Sequence, residues 1–244
     1  RIKAANEHAY IPNGQTAERV AAKYPQFDRQ SQEEFAERSH TLAHQAHQDG
    51  SYSGQLHPYL IESDEFVRYP VNREKIASLP PAFSEDGTVT AATSSPLTDG
   101  ATSGWVIEAT RAKSLGISAG LEIVDIQYGH VAPELMGLGP VPATQRIFAR
   151  NGITPNDVAA FEINEAFAIQ VLASVADLEI PMDRVNTWGG ALALGHPLGA
   201  SGLRLVMTLH DRLKQRNEPG ALGLATLCVG GGQGMSILFR WVQI

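Results

Sequence analysis

ALGLATLCVGGGQGMSILFRWV, residues 221 to 242, decides how this chain folds. Two apolar runs, Ala221 to Val229 and Met235 to Val242, flank the loop from Gly230 to Gly234. Runs of this length bounded by turn formers read as strands, and the short glycine-rich connection makes them an antiparallel hairpin. Upstream, Leu203, Val206, Met207, His210 and Leu213 recur at helical spacing after a second glycine-rich loop, Gly195 to Gly202. Ala159 to Ile163 reads as a short buried strand, followed at Asn164-Glu165 by a helix that aligns Phe167, Val171 and Val175. Pro142 to Asn151 reads as a helix with a proline in its first turn, and Leu121 to Gln127 as a strand. Helices and strands alternating from Leu121 to the end predict a layered α/β domain with helices on its sheet.

The first third has a different character. Thr16 to Tyr24 reads as a short helix closed by Pro25. Ser31 with Glu34 predicts a capping box for a helix carrying Phe35, Leu42, Ala43 and Ala46 on one stripe. Residues 50 to 90 read as an irregular surface excursion with short strands. Thr98-Asp99-Gly100 opens a predicted helix from Ala101 to Leu115, ended by Gly116. The opening residues, Arg1 to His8, have neither an initiator methionine nor the apolar core of a signal peptide, and read as an internal start.

With 244 residues there is enough chain for one large domain or two smaller ones. A net charge of −7 argues against a general nucleic-acid binder or an anionic-membrane binder. No run approaches the roughly 18 apolar residues of a membrane span. The one cysteine excludes an intrachain disulfide framework and fits a reducing compartment.

That cysteine, Cys228, stands at the mouth of the Gly230 to Gly234 loop. A plain core cysteine could end a strand there, but the glycines beside it leave backbone N–H groups uncovered and able to donate to an oxyanion, Gly230 first among them. His196, between Gly195 and Pro197, precedes a helix start whose dipole keeps a nearby imidazole neutral and basic. A thiol and an imidazole among glycines suggest acyl-transfer or proton-transfer chemistry. Asn164 reads as an N-cap by default, and Phe167 as a core aromatic. His40, His44 and His47 share a helix face without a carboxylate or cysteine at ligand spacing, so no metal site is assigned.

Five blocks together resemble the thiolases, enzymes that make or cleave 3-ketoacyl-CoA. These are Gly14-Gln15-Thr16-Ala17-Glu18-Arg19-Val20-Ala21, the stretch from Thr90 to Ala101, Asn164-Glu165-Ala166-Phe167-Ala168, Gly195 to Gly202, and Leu227 to Gly234. The resemblance implies a thiolase-like fold of layered sheet and helices with an irregular helical loop domain inserted and the N-terminal half-domain largely missing. It divides the chain into a CoA-covering loop domain (1–88), a remnant of the first α/β half (89–120) and the C-terminal α/β domain (121–244). It implies that His196 activates a nucleophilic thiol, that Cys228 moves the proton of the acetyl-CoA carbanion, and that Asn164 holds a water which, with His196, binds the thioester oxygen. The Gly230 N–H would serve a second oxyanion site, Ser95 would touch the pantetheine arm, and Phe167 would line the acyl pocket. Two departures stand out: Asn13 occupies a position usually held by methionine, and the family's second, nucleophilic cysteine is not among these residues. The implied activity is acyl-CoA C-acyltransferase in fatty-acid β-oxidation, inactive for this chain alone, with a non-catalytic acyl-CoA- or lipid-binding or scaffold protein as the alternative. Coenzyme A is expected as substrate, with no resident cofactor. Homodimers or tetramers, a β-oxidation partner enzyme, and a cytoplasmic setting (mitochondrial or peroxisomal in a eukaryote) complete the expectation.

Overall fold

The computed structural model describes residues 10–57 and 63–244; Arg1 to His8, read as an internal start, lie outside them. Helices α1 (Asn13–Lys23), α2 (Arg29–Gln48), α3 (Arg73–Ala77) and α4 (Ala109–Ser114) come first. Strand β1 (Ala119–His130), helix α5 (Pro140–Asn151), strand β2 (Val158–Ile163) and helix α6 (Ala168–Asp177) follow. The short α7 (Ala191–Leu194), the long α8 (Leu198–Arg216), β3 (Leu222–Val229) and β4 (Gln233–Gln243) close the chain. The strands form one sheet in the order β1-β4-β3-β2. The predicted hairpin β3–β4 is antiparallel and lies at its centre, with β1 antiparallel to β4 and β2 parallel to β3.

Strand alternation splits the apolar residues between two faces. Leu224 and Leu238 point to one face with Phe161 and Ile163, where they meet Ile147 of α5, Val171 of α6, Val20 of α1 and Phe35 of α2. Ala225, Phe239 and Trp241 point to the other and meet Leu205, Leu209 and Leu213 of α8. Fully burying each large side chain contributes roughly 1.5–3 kcal/mol, so both layers are strongly held. Helices α1 and α2 share the core of the sheet.

Several local expectations need correction. Helix α2 is capped by Asp28, whose carboxylate accepts from the Ser31 N–H and hydroxyl, each at 2.8 Å; Ser31 lies inside the helix and makes no capping box with Glu34. The predicted helix from Ala101 to Leu115 shrinks to α4. Before it the chain runs irregularly along the first turns of α8, with Thr102 donating to the Ala200 carbonyl at 3.1 Å and with Trp105 and Val106 80% and 86% exposed. Small residues permitted a helix there, but among the described residues Trp105 and Val106 find no layer to bury against. The helix expected at Asn164 starts at Ala168, because the Asn164 N–H continues the parallel ladder to the Thr226 carbonyl at 2.9 Å. Between residues 50 and 90 the described chain holds α3 and an isolated bridge between Pro81 and Thr90 in place of short strands.

Candidate active site

Strands β2 and β3 run parallel and end side by side, which places Asn164 just past one carboxyl end and Cys228 at the other. Ligands of α/β sheets bind beyond such carboxyl ends. The loop from Gly195 to Pro197 reaches the same edge, anchored where the His196 N–H donates to the Pro96 carbonyl at 3.0 Å.

The imidazole of His196 is held at both nitrogens. Nδ1 lies 2.6 Å from Ser201 Oγ, and Ser201 donates its own hydrogen to the Pro197 carbonyl at 3.0 Å. With that hydrogen used, Ser201 accepts from Nδ1–H, and the lone pair of the neutral ring falls on Nε2. Nε2 faces Asn164 Nδ2 at 3.4 Å. Burial first, and the Arg204 charge second, hold the imidazole pKa below its ordinary value. The ring is therefore neutral near pH 7, with the Nε2 lone pair at the carboxyl edge of the sheet accepting only a long contact from Asn164 Nδ2–H at 3.4 Å, the state a general base requires.

Asn164 is fully buried, and its Oδ1 finds no donor among the described residues. A buried carbonyl oxygen left unpaired is costly, so this atom is suited to accept from a bound water or a substrate group. Next to it, the buried carboxylate of Glu165 accepts from Ser39 Oγ at 2.6 Å, Asn186 Nδ2 at 2.9 Å and the Leu192 N–H at 3.1 Å. Glu165 thereby ties α2 and α7 to the end of β2 and fixes the approach to His196.

Cys228 packs against the larger core at the end of β3, opposite Gly234. Burial of its thiol pushes the pKa up to about 12, so the sulfur stays protonated at neutral pH and suits proton donation better than nucleophilic attack. The adjoining glycines divide into two kinds. Gly232 has φ +85° and a Cβ there would stand 2.3 Å from the Val131 carbonyl oxygen, and a Cβ on Gly234 would stand 2.0 Å from the Gly139 carbonyl carbon. Fold geometry therefore accounts for these two. Gly230 is the exception: a Cβ there meets nothing within 4 Å, and its exposed N–H has no backbone acceptor among the described residues.

Ser95 is engaged with the Asn164–Phe167 turn, its N–H and hydroxyl both donating to the Ala166 carbonyl at 3.0 and 3.1 Å. Phe167 is the residue preceding α6 and stacks edge-on against Phe83 with ring centroids 5.9 Å apart. Asn13 opens α1, followed by Gly14, on which a Cβ would stand 2.1 Å from the Phe83 ring. Of the histidines once considered as metal ligands, His40 accepts from the Arg68 N–H, His44 stacks on Tyr69, and His47 pairs with Asp64.

Sequence reading missed three contributors. Ser201 was visible as part of a motif but not as the partner of Nδ1. Phe83 sits in a polar stretch with no periodicity to single it out. Met136 to Pro140, the buried junction between a 3-10 turn and α5, brings Gly139 directly onto Gln233 and Gly234, a contact between segments nearly a hundred residues apart.

Known proteins resemble this chain along most of its length. Residues 118–241 match the family model for the thiolase C-terminal domain, and residues 3–109 the model for the thiolase N-terminal domain. The chain is 42% identical over 241 residues to a 3-ketoacyl-CoA thiolase of Stutzerimonas stutzeri, a match covering 93% of this chain and 61% of that protein. It is 42% identical over 234 residues to an acetyl-CoA acetyltransferase of Cupriavidus necator, covering 92% and 59%. Human mitochondrial 3-ketoacyl-CoA thiolase, solved in complex with CoA, superposes with a TM-score of 0.86 at 32% identity, covering 96% of this chain and 60% of that one. The chain thus spans about three-fifths of the length of these relatives. By its domains and its fold, this chain belongs to the thiolase family.

Proposed function

We propose that this chain carries the acid–base and oxyanion-binding part of an acyl-CoA C-acyltransferase that cleaves 3-ketoacyl-CoA with CoA or runs the reverse condensation, in fatty-acid β-oxidation. The observation that carries the reading is His196, held neutral with its Nε2 lone pair beside Asn164. In that role Nε2 takes the proton of a nucleophilic thiol, because the thiolate attacks and the thiol does not. The protonated Nε2 then donates, together with a water held on Asn164 Oδ1, to the thioester oxygen. Cys228, kept as a thiol by burial, protonates the departing acetyl-CoA carbanion, and the free Gly230 N–H faces the second developing oxyanion. Phe167 with Phe83 lines the acyl and pantetheine path, and Ser95 borders it.

Coenzyme A is the substrate in this reading, and no resident cofactor is needed. The attacking thiol is not among these 244 residues, since their one cysteine is assigned to proton transfer. Residues 1–88 act as the CoA-covering part, 89–120 belong with the first α/β half, and 121–244 form the C-terminal domain. Assembly as a homodimer or tetramer, a β-oxidation partner enzyme, and a cytoplasmic, mitochondrial or peroxisomal setting are taken from the family. No helix of the described residues is long and apolar enough to cross a membrane.

The test has two arms. The 244-residue chain, incubated with a 3-ketoacyl-CoA and CoA, should show neither a covalent acyl adduct by mass spectrometry nor thiolysis. A longer protein carrying this segment and a second cysteine should turn over, and H196N or C228S should each lower its kcat by at least about 10²–10³-fold. Turnover by the short chain alone, or full activity after either substitution, would sink the reading.

A further inference from the structure

Behind the site lies a group of buried charges that hydrogen bonding leaves unevenly matched. Arg38 on α2 and Arg204 and Arg212 on α8 face two carboxylates, Glu162 on β2 and Glu165 just beyond it. Arg212 is fully engaged: it donates to Glu162 Oε1 at 2.6 Å and to the carbonyls of Phe161 and Arg184, each at 2.9 Å. Both oxygens of Glu165 are taken by Ser39, Asn186 and Leu192. Arg38 donates to the carbonyls of Met182 and Val185 at 3.2 and 2.7 Å. Arg204 differs. Its guanidinium approaches Glu162 Oε2 only to 3.9 Å, and its two buried Nη groups find no acceptor among the described residues.

The position of this pair is specific. Glu162 precedes Asn164 by two residues on the line of β2, so both point to the same face. Arg204 follows Ser201 by three residues on α8, so the two are neighbours on one helix face. The pair therefore stands directly behind the two residues that hold the two nitrogens of His196. Cys228 on β3 is a further titratable group at this edge, and Asp99 lies between Thr98 and Gly100, which abut the histidine loop. In an interior of low dielectric, a cation whose counter-ion stands beyond hydrogen-bond distance keeps much of its field.

We infer that Arg204 is a positioning residue of the site, a buried cation, incompletely cancelled by Glu162, that adds to burial in keeping the His196 imidazole neutral and favours negative charge beside it. The direction of the His196 shift, with Arg204 as its charged contributor, agrees with this. The inference rests on the thiolase reading only for its catalytic meaning. A neutral base and a favoured oxyanion are what that chemistry needs at Nε2, while the field of Arg204 exists whether or not acyl-CoA is the substrate.

The experiment is an NMR titration of the His196 imidazole in the 244-residue chain, free of substrate, for wild type, R204K, R204Q and E162Q. R204K keeps the charge and should titrate near wild type. R204Q should raise the His196 pKa by roughly half a unit or more, as loss of a nearby like charge does. E162Q uncovers Arg204 and should move the titration lower still. Opposite shifts in R204Q and E162Q are the required signature, since loosened packing would move both the same way. No shift in a folded R204Q, or shifts of one sign in both, overturns the inference. Should R204Q not fold, R204M, which keeps the packed stem and removes the charge, decides: a raised His196 pKa supports Arg204, and an unchanged or lower one overturns it. Acyl-CoA binding, measured separately on the wild-type chain, tests the thiolase reading without touching this result.

Discussion

Ser201 Oγ sits 2.6 Å from His196 Nδ1 while giving its own hydrogen to the Pro197 carbonyl, so one hydroxyl selects the tautomer of the imidazole. Ser201 is fully buried, in the first turn of α8, and holds the ring from the side away from Asn164. Replacing it with alanine leaves Nδ1–H unpaired and lets the ring turn. S201A in a full-length enzyme should lower kcat by about tenfold or more, the cost of one buried hydrogen bond of roughly 1–2 kcal/mol, with little change in KM. Unchanged kcat would mean that the tautomer is set elsewhere.

The hairpin glycines separate by function. A Cβ at Gly234 would press on the backbone of Gly139 and Pro140, which cannot yield as a side chain tip can. G234A should cost about 1–3 kcal/mol or more in urea unfolding, as overpacking does. G230A should stay within about 0.5 kcal/mol of wild type, since its Cβ meets open space. Equal losses at both positions would contradict the division drawn here.

His40 makes the fold sensitive to acid. Burial, helped by the Arg68 charge, lowers its pKa from 6.5 to about 4, and its Nδ1 accepts from the Arg68 N–H at 3.2 Å. Between those values the unfolded chain binds a proton that the native state refuses, so stability falls as pH drops from about 6.5 to 4. Above 6.5 neither state is charged and the contribution is flat. The full loss is on the order of 3 kcal/mol, and H40N should remove most of this slope in denaturant midpoints measured across the window.

Cys228 should be a poor nucleophile at neutral pH. With its pKa pushed up to about 12 by burial, alkylation by iodoacetamide at pH 7.5 should lag a free cysteine by at least roughly 30-fold, after the greater reactivity of a more basic thiolate is allowed for. Labelling as fast as that of an exposed thiol would remove the physical basis for its role as proton donor.

Much of the C-terminal half was legible without coordinates. The hairpin, the strand before Asn164 and the helix after the histidine loop all lie where apolar periodicity put them, because each buries one face against a neighbour present in the chain. Periodicity was misleading where that neighbour is lacking. From Ala101 to Ile107 the pattern allowed a helix, yet Trp105 and Val106 remain exposed and the segment stays irregular. Capping was misread by three residues, since Asp28 and Ser31 are both good caps and only the chain's entry direction chooses between them.

The residue types alone determined the family and the α/β layering, and singled out His196, Asn164 and Cys228 as candidates for the chemistry, because motifs and periodicity are local properties. Tertiary structure decided their states. The lone pair on Nε2 depends on Ser201 and Pro197, and the protonated thiol on burial at the end of β3. The uncancelled charge of Arg204 depends on Glu162 standing 3.9 Å away. Tautomer, protonation and field all follow from distances between segments far apart in the chain, and no local pattern encodes those distances.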